Sequence, residues 1–275
     1  MRYRLGPSLS GTALVPARAG SLGAMNEPRP ATASRRWLRR PWLLPGGLLL
    51  LLTFLTVNVL ADGPLVSVDQ HIHHAVRRTA NSAGWLWLKD RPAAPARILV
   101  DLGNIRFAFP ILLAVAGYVA FRHRSLRPLL TAVTGIVLVL ATVVPAKIAI
   151  GRPNPGNGPL RPDKLLGAFP SGHTTTACVC YVLAALLLTP DAGRRARRIA
   201  VSTAAALGAL VGAAMIWCGL HWFTDVIAGF ALAGLIVPLT MWLTCRGRGA
   251  RWPGRSPPDE SRTLAASAGR QGPSG

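Results

Sequence analysis

Leu126–Ile150 reads LRPLLTAVTGIVLVLATVVPAKIAI. Between Arg127 and Lys147 no charged side chain interrupts it. A helix this apolar on every face has no stripe to turn toward water, and crossing a bilayer core takes about 20 such residues. Working outward from this run, five further stretches have the same character, which predicts six spans: Leu43–Ala61, Ile98–Phe121, Leu126–Ile150, His173–Thr189, Ile199–Cys218 and Val226–Thr244. Pro110, Pro145 and Pro238 fall within spans, where they are expected to kink them. The fold class read from the chain is therefore all-α, a six-helix transmembrane bundle.

Composition agrees. Of 275 residues, 51% are hydrophobic and 15% charged, too apolar for disorder in the middle of the chain. The net charge of +21 could signal nucleic acid, but its arginines cluster beside the apolar runs, which indicates membrane orientation and no nucleic-acid partner. Arg35, Arg36, Arg39 and Arg40 precede the first span. Arg122, Arg124 and Arg127 follow the second, Arg194, Arg195, Arg197 and Arg198 the fourth, and Arg246, Arg248, Arg251 and Arg255 the last. With six spans all four groups fall on one face, which the positive-inside rule makes cytoplasmic, with both termini. The other face then holds two long loops, Asp62–Arg97 and Gly151–Gly172, and a turn at His221.

The ends are expected to differ from this domain, taken as 35–246. Residues 1–34 and 247–275 are rich in Pro, Gly, Ala and Ser and are expected to be disordered. Met25 is a second candidate start. The Arg35-Arg36 pair before the first apolar run resembles a twin-arginine signal, but the run is long for one, and a retained helix is expected. Cys178, Cys180, Cys218 and Cys245 form no CxxC and read as small core residues. The Arg, Ala, Gly and Pro bias is that of a GC-rich bacterial genome.

Three clusters carry chemistry, all at the outer ends of spans. Pro170-Ser171-Gly172-His173 begins a helix, where free N–H groups and the helix dipole suit an anion and His173 can deliver a proton. A serine N-cap beside an incidental histidine would look the same. His221 and Asp225 stand one helical turn apart, so the carboxylate can fix the imidazole tautomer. Lys147 and Arg152 add positive charge and guanidinium donors, although basic residues at span ends also serve lipid head groups. Together the clusters describe phosphoryl transfer through a histidine.

The order Lys147…Arg152-Pro153, Pro170-Ser171-Gly172-His173, His221-xxx-Asp225 resembles the type-2 phosphatidic acid phosphatases, helical enzymes sharing a fold with vanadium haloperoxidases. The resemblance spans roughly 43–244 and is sharpest at the PSGH element. It implies that His221 attacks phosphorus, Asp225 orients it and His173 protonates the leaving group. It implies that Lys147, Ser171 and Gly172 hold phosphate oxygens, with no cofactor and no metal. Two family arginines are missing: their places hold Asn154 and Met215, and Arg152 is expected to replace the first.

The function so implied is hydrolysis of a lipid phosphate or diphosphate at the outer leaflet, of phosphatidic acid, phosphatidylglycerophosphate or polyprenyl diphosphate type. The partners are that substrate and membrane lipids; the oligomeric state stays open. The alternatives are a degenerate member that binds lipid phosphates without hydrolysing them, for which the missing arginines speak, and a phosphotransferase. A metal site at Asp69, His71, His73 and His74 is the lesser reading of those residues, which are expected to lie in a solvated amphipathic loop on the membrane surface.

Overall fold

A computed structural model describes residues 43–82, 87–88, 91–92, 94–155 and 166–245. The expected disordered ends and the first and last arginine clusters lie outside these residues. In chain order the elements are α1 (Leu43–Leu60), α2 (Pro64–Ser82), β1 (Trp87–Leu88), β2 (Arg91–Pro92), α3 (Ala94–Gly103), α4 (Ile105–His123), α5 (Arg127–Ile150), α6 (Gly172–Leu188), α7 (Arg194–Trp217) and α8 (Phe223–Cys245). The two short strands pair antiparallel, Trp87 with Pro92 and Leu88 with Arg91. Everything else regular among the described residues is helix, and the chain is a multi-pass membrane protein. Among the described residues, five helices are long and apolar enough to cross a bilayer: α1, α4, α5, α7 and α8.

α6 is shorter, at 17 residues. At 1.5 Å per residue it extends about 25 Å, a little less than the ~30 Å hydrocarbon core. It contacts α3, α4, α5, α7 and α8, and Thr174 through Cys180 are buried along it without a break. A helix sheathed by protein does not need the length of one that meets lipid. Its Val179 and Leu183 interdigitate with Leu112 of α4, Val139 of α5 and Leu232 and Ile236 of α8 in the main core. Small residues admit the close approach, as membrane helix packing requires: a side chain at Gly208 of α7 would collide with Cys178. At the other extreme, Leu49, Leu50, Phe54 and Val57 of α1 are exposed apolar side chains, the surface that lipid covers.

Two expectations are corrected. The run Ile98–Phe121 is not one helix. It breaks after Gly103, where a Cβ would lie 3.0 Å from both the Cβ and the carbonyl oxygen of His173, and Asn104 caps α4 by accepting from the N–H of Arg106 at 3.0 Å. The stretch Asp62–Arg97 is not a loop in its first part. Leu65, Asp69, Ile72, His73 and Val76 recur at helical spacing, and all turn inward on α2. Asp69 among them is fully enclosed, at 1% exposure. α2 contacts α1, α7 and α8. Pro110, Pro145 and Pro238 lie inside α4, α5 and α8. Cys178, Cys180 and Cys218 are buried thiols and Cys245 is exposed.

Candidate active site

The turn between α7 and α8 sets the position of His221. Gly219 adopts φ +65°, the left-handed conformation that ends many helices. Its N–H donates to the Ile216 carbonyl and that of Leu220 to the Met215 carbonyl, both at 2.9 Å, which is a Schellman closure of α7. The N–H of His221 donates to the same Met215 carbonyl at 3.3 Å. The chain then starts α8, whose first-turn N–H groups lack helical partners. Asp225 reaches back and accepts from the N–H of Trp222 at 3.0 Å, half of a capping box. Asp69 of α2 accepts from the N–H of Thr224 at 2.9 Å.

The same carboxylate oxygen of Asp225, Oδ2, lies 3.2 Å from His221 Nδ1. A carboxylate only accepts, so Nδ1 carries the proton and Nε2 keeps its lone pair. Burial pushes the pKa of His221 below its usual 6.5; the Asp225 hydrogen bond and charge, and to a lesser degree the Ala168 backbone, oppose this, and Lys147 adds to it. At neutral pH the ring is uncharged and nucleophilic.

Arg152 holds the other oxygen. It follows Gly151, which closes α5 at φ 59°. Its NH1 donates to Asp225 Oδ1 at 2.6 Å and to Thr224 Oγ1 at 2.7 Å, and its NH2 to Asp69 Oδ2 at 2.7 Å. Thr224 Oγ1 also donates to Asp69 Oδ2. The guanidinium packs 5.3 Å from the centroid of the Trp222 ring, whose Nε1–H donates to the Pro153 carbonyl at 2.8 Å. Arg152, expected as a phosphate clamp, thus spends both terminal nitrogens on protein carboxylates.

Lys147, one turn before Gly151, directs its ammonium group at the Gly167 and Ala168 carbonyls, at 2.6 and 3.2 Å. This turn is stitched to the end of α5: Gly167 N–H donates to the Lys147 carbonyl and Ala168 N–H to that of Arg152. From there the chain enters Pro170-Ser171-Gly172-His173. Ser171 is fully buried and caps α6, its Oγ 3.4 Å from the Thr174 N and 3.0 Å from Thr174 Oγ1. The cap reading of this serine therefore describes its hydroxyl. The N–H groups of Gly172 and His173 stand in the first turn, which has no helical acceptors. His173 is half-buried and within electrostatic reach of His221, Lys147 and Asp101. A Cβ on Gly172 would sit 3.5 Å from Lys147 Cε, which places that side chain against the helix start.

His173, His221, Asp225, Lys147, Arg152, Ser171 and Gly172 are thus gathered at one end of the bundle. The positions of the two missing arginines diverge. Asn154 is half-buried on the Arg152 turn, whereas Met215 is 2% exposed in an apolar cluster with Ala177, Val211 and Val226. Asp69, His71 and His73 do not converge as metal ligands among the described residues. His71 Nδ1 meets the Ser67 carbonyl at 2.7 Å, and His73 packs edge-on to Trp222. Sequence reasoning missed Asp69 and Thr224 as members of the site; the inward spacing of Asp69 and His73 on α2 is the signal that could have found the first.

Comparison with known proteins follows the same residues. Residues 128–247 match the family model of the PAP2 superfamily. Phosphatidylglycerophosphatase B of Bacillus subtilis (strain 168) is 28% identical over 187 residues, 66% of this chain and 88% of that protein. An acid phosphatase of Zymomonas mobilis is 36% identical over 67 residues, 24% of this chain and 22% of that one. Among solved structures, that of a transmembrane PAP2 type phosphatidylglycerolphosphate phosphatase from Bacillus subtilis superposes with a TM-score of 0.62 at 22% identity. The match covers 75% of this chain and 98% of that one, a likeness in fold.

Proposed function

We propose that the chain, whose residues 128–247 match the PAP2 superfamily model, is a membrane phosphatase that cleaves a lipid phosphate or diphosphate through a phosphohistidine on His221. The observation that carries this is the buried His221–Asp225 pair, 3.2 Å apart, set beside the first turn of α6. The Nε2 lone pair of His221 forms a bond to phosphorus. The bond from phosphorus to the leaving oxygen breaks, and His173 gives that oxygen its proton. Water then attacks the phosphohistidine, returns a proton to His173, and releases inorganic phosphate and neutral His221.

Charge on the transferring oxygens is met by Lys147, which exchanges the Gly167 and Ala168 carbonyls for phosphate, and by the N–H groups of Gly172 and His173. Ser171 shapes that helix start through its cap, and Arg152 braces Asp225. No step calls for a cofactor or a metal. The substrate class is a phosphatidic acid, phosphatidylglycerophosphate or polyprenyl diphosphate. Its apolar chains stay between helices; with α6 as a sixth crossing and the arginines at the α4–α5 and α6–α7 turns inside, the site faces the extracytoplasmic side and both termini the cytoplasm.

The deciding experiment is phosphate release from short-chain versions of these three lipids by purified full chain, beside His221→Ala. Release by the wild type, abolished in the variant and indifferent to EDTA, supports the reading. Tight binding of the lipids without release assigns the non-hydrolytic alternative. Release matched by His221→Ala removes the histidine route.

A further inference from the structure

α2 lies outside the part of the chain that matches the family model, yet it delivers a carboxylate into the middle of the site. Both oxygens of Asp69 are occupied, Oδ1 by Thr224 N–H and Oδ2 by Arg152 NH2 and Thr224 Oγ1. Beyond Arg152 the contacts run to Asp225 Oδ1 at 2.6 Å and from Asp225 Oδ2 to His221 at 3.2 Å. The order is carboxylate, guanidinium, carboxylate, imidazole. Asp69 and Asp225 are 0% exposed in their side chains and Arg152 8%, so water screens none of these charges well.

We propose that Asp69 is a positioning residue for His221: by balancing the charge of Arg152, it leaves Asp225 with an effective negative charge behind the imidazole. The proposal rests on His221 being the nucleophile. Arg152 and Asp225 alone would make a neutral pair, and His221 would face little net field. With Asp69 the trio carries one net negative charge. When Nε2 bonds to phosphorus the ring becomes cationic, and negative charge fixed beside Nδ1 stabilises that state more than the neutral one. In a buried, low-dielectric setting the balance counts for more than it would at the surface.

The competing account is that Asp69 only caps α8 through Thr224. A cap needs an acceptor oxygen, and asparagine serves there about as well as aspartate. Asp69→Asn therefore keeps the cap and removes the charge. The other charged or titratable groups that meet His221 are Lys147 from α5, His173 from α6 and Asp225 itself. α2 also brings His73, which packs on Trp222, while α7 supplies Met215 and no charge at this point.

The test follows the imidazole of His221 by mass-spectrometric exchange of its C2 hydrogen across pH, in detergent-solubilised full chain, together with kcat and KM for short-chain phosphatidylglycerophosphate. In Asp69→Asn the His221 midpoint falls by about half to one pH unit. kcat drops about ten- to a hundredfold, while KM stays within about threefold. Arg152→Gln moves the midpoint the other way. Asp69→Asn combined with Arg152→Gln restores the net charge and returns the midpoint to the wild-type value. Identical midpoints in wild type and Asp69→Asn overturn the proposal, as does a double variant whose midpoint stays with that of Asp69→Asn. Where Asp69→Asn fails to fold, Arg152→Gln and the double variant decide by the same ordering. A wild type that releases no phosphate, with the midpoints still in this order, removes the phosphatase reading and upholds the charge coupling.

Discussion

The N–H of Ser171 donates to the main-chain carbonyl of Asp225 at 2.9 Å, so the first turns of α6 and α8 are hydrogen-bonded to each other. The bond couples the helix start that carries His173 to the one that orients His221. Thr175 reinforces it, its hydroxyl donating to the Ser171 carbonyl at 2.9 Å and lying 3.3 Å from that of Gly229. The helices can approach this closely because residue 229 has no side chain: a Cβ there would stand 3.0 Å from the Ser171 oxygen and 3.2 Å from Thr175 Oγ1.

Gly229→Val should therefore pry α6 from α8 and shift His173 relative to His221 while every reacting side chain stays present. Overpacking of this kind costs about 1–3 kcal/mol of stability. A misplacement near 1 Å costs roughly a hundredfold in turnover. The check is kcat beside thermal unfolding in detergent. A variant with wild-type kcat would show that the spacing of the two helix starts does not matter to the chemistry.

The pH profile follows from the state of His221. In the proposed mechanism its neutral form is the nucleophile, and burial holds its pKa below 6.5 despite Asp225. Activity is thus present above that depressed pKa and is lost as pH falls through it. The acid limb of kcat/KM should have its midpoint under 6.5. A limb centred above 6.5 would mean that Asp225 outweighs burial, or that another group is titrating.

Orientation gives an independent check. Arg122 and Arg124 close α4, and Arg194 through Arg198 open α7, whereas Lys147, Arg152 and His221 lie at the opposite helix ends. A reporter joined after Arg197 should read as cytoplasmic, and one joined after Asn154 as extracytoplasmic. The reverse at either position would turn the site toward the cytoplasm.

Much of this was legible in the sequence, and the reasons are physical. Uniformly apolar runs such as Leu126–Ile150 admit few structures in lipid, and motifs built from adjacent residues, PSGH and His221-xxx-Asp225, carry their geometry with them. What escaped depended on distant partners. The break at Gly103 falls where the chain packs tightly against Val211 and His173, neighbours the local pattern cannot see. α2 is too polar for a span search, although its inward face keeps helical spacing. The two carboxylate partners of Arg152 could not be read beside it, because they lie 83 and 73 residues away.

The missing arginines supply the last prediction, and the structure separates two positions that the sequence treats alike. The Met215 side chain sits among Ala177, Val211 and Val226, with Tyr181 and Phe230 at the margin. Met215→Arg would bury a charge there with no carboxylate supplied, a loss of roughly 3–5 kcal/mol if the charge stays unpaired. The variant should misfold or lose activity, not gain it. Asn154 differs: it is half-buried on the turn after α5, two residues from Arg152, where a guanidinium can still reach water. Arg152 is already held by Asp69 and Asp225, which leaves room for a second guanidinium from this turn to meet a phosphate at His221. Asn154→Arg should supply one. A charge-assisted hydrogen bond is worth about 1.5–3 kcal/mol, so kcat/KM should rise about tenfold or more if the bond forms mainly in the transition state. Vanadate inhibition should tighten in parallel. A well-folded Asn154→Arg protein with unchanged kcat/KM and vanadate sensitivity would show that this turn does not face the transferring phosphoryl group. Lys147 and the first turn of α6 would then be left to hold it.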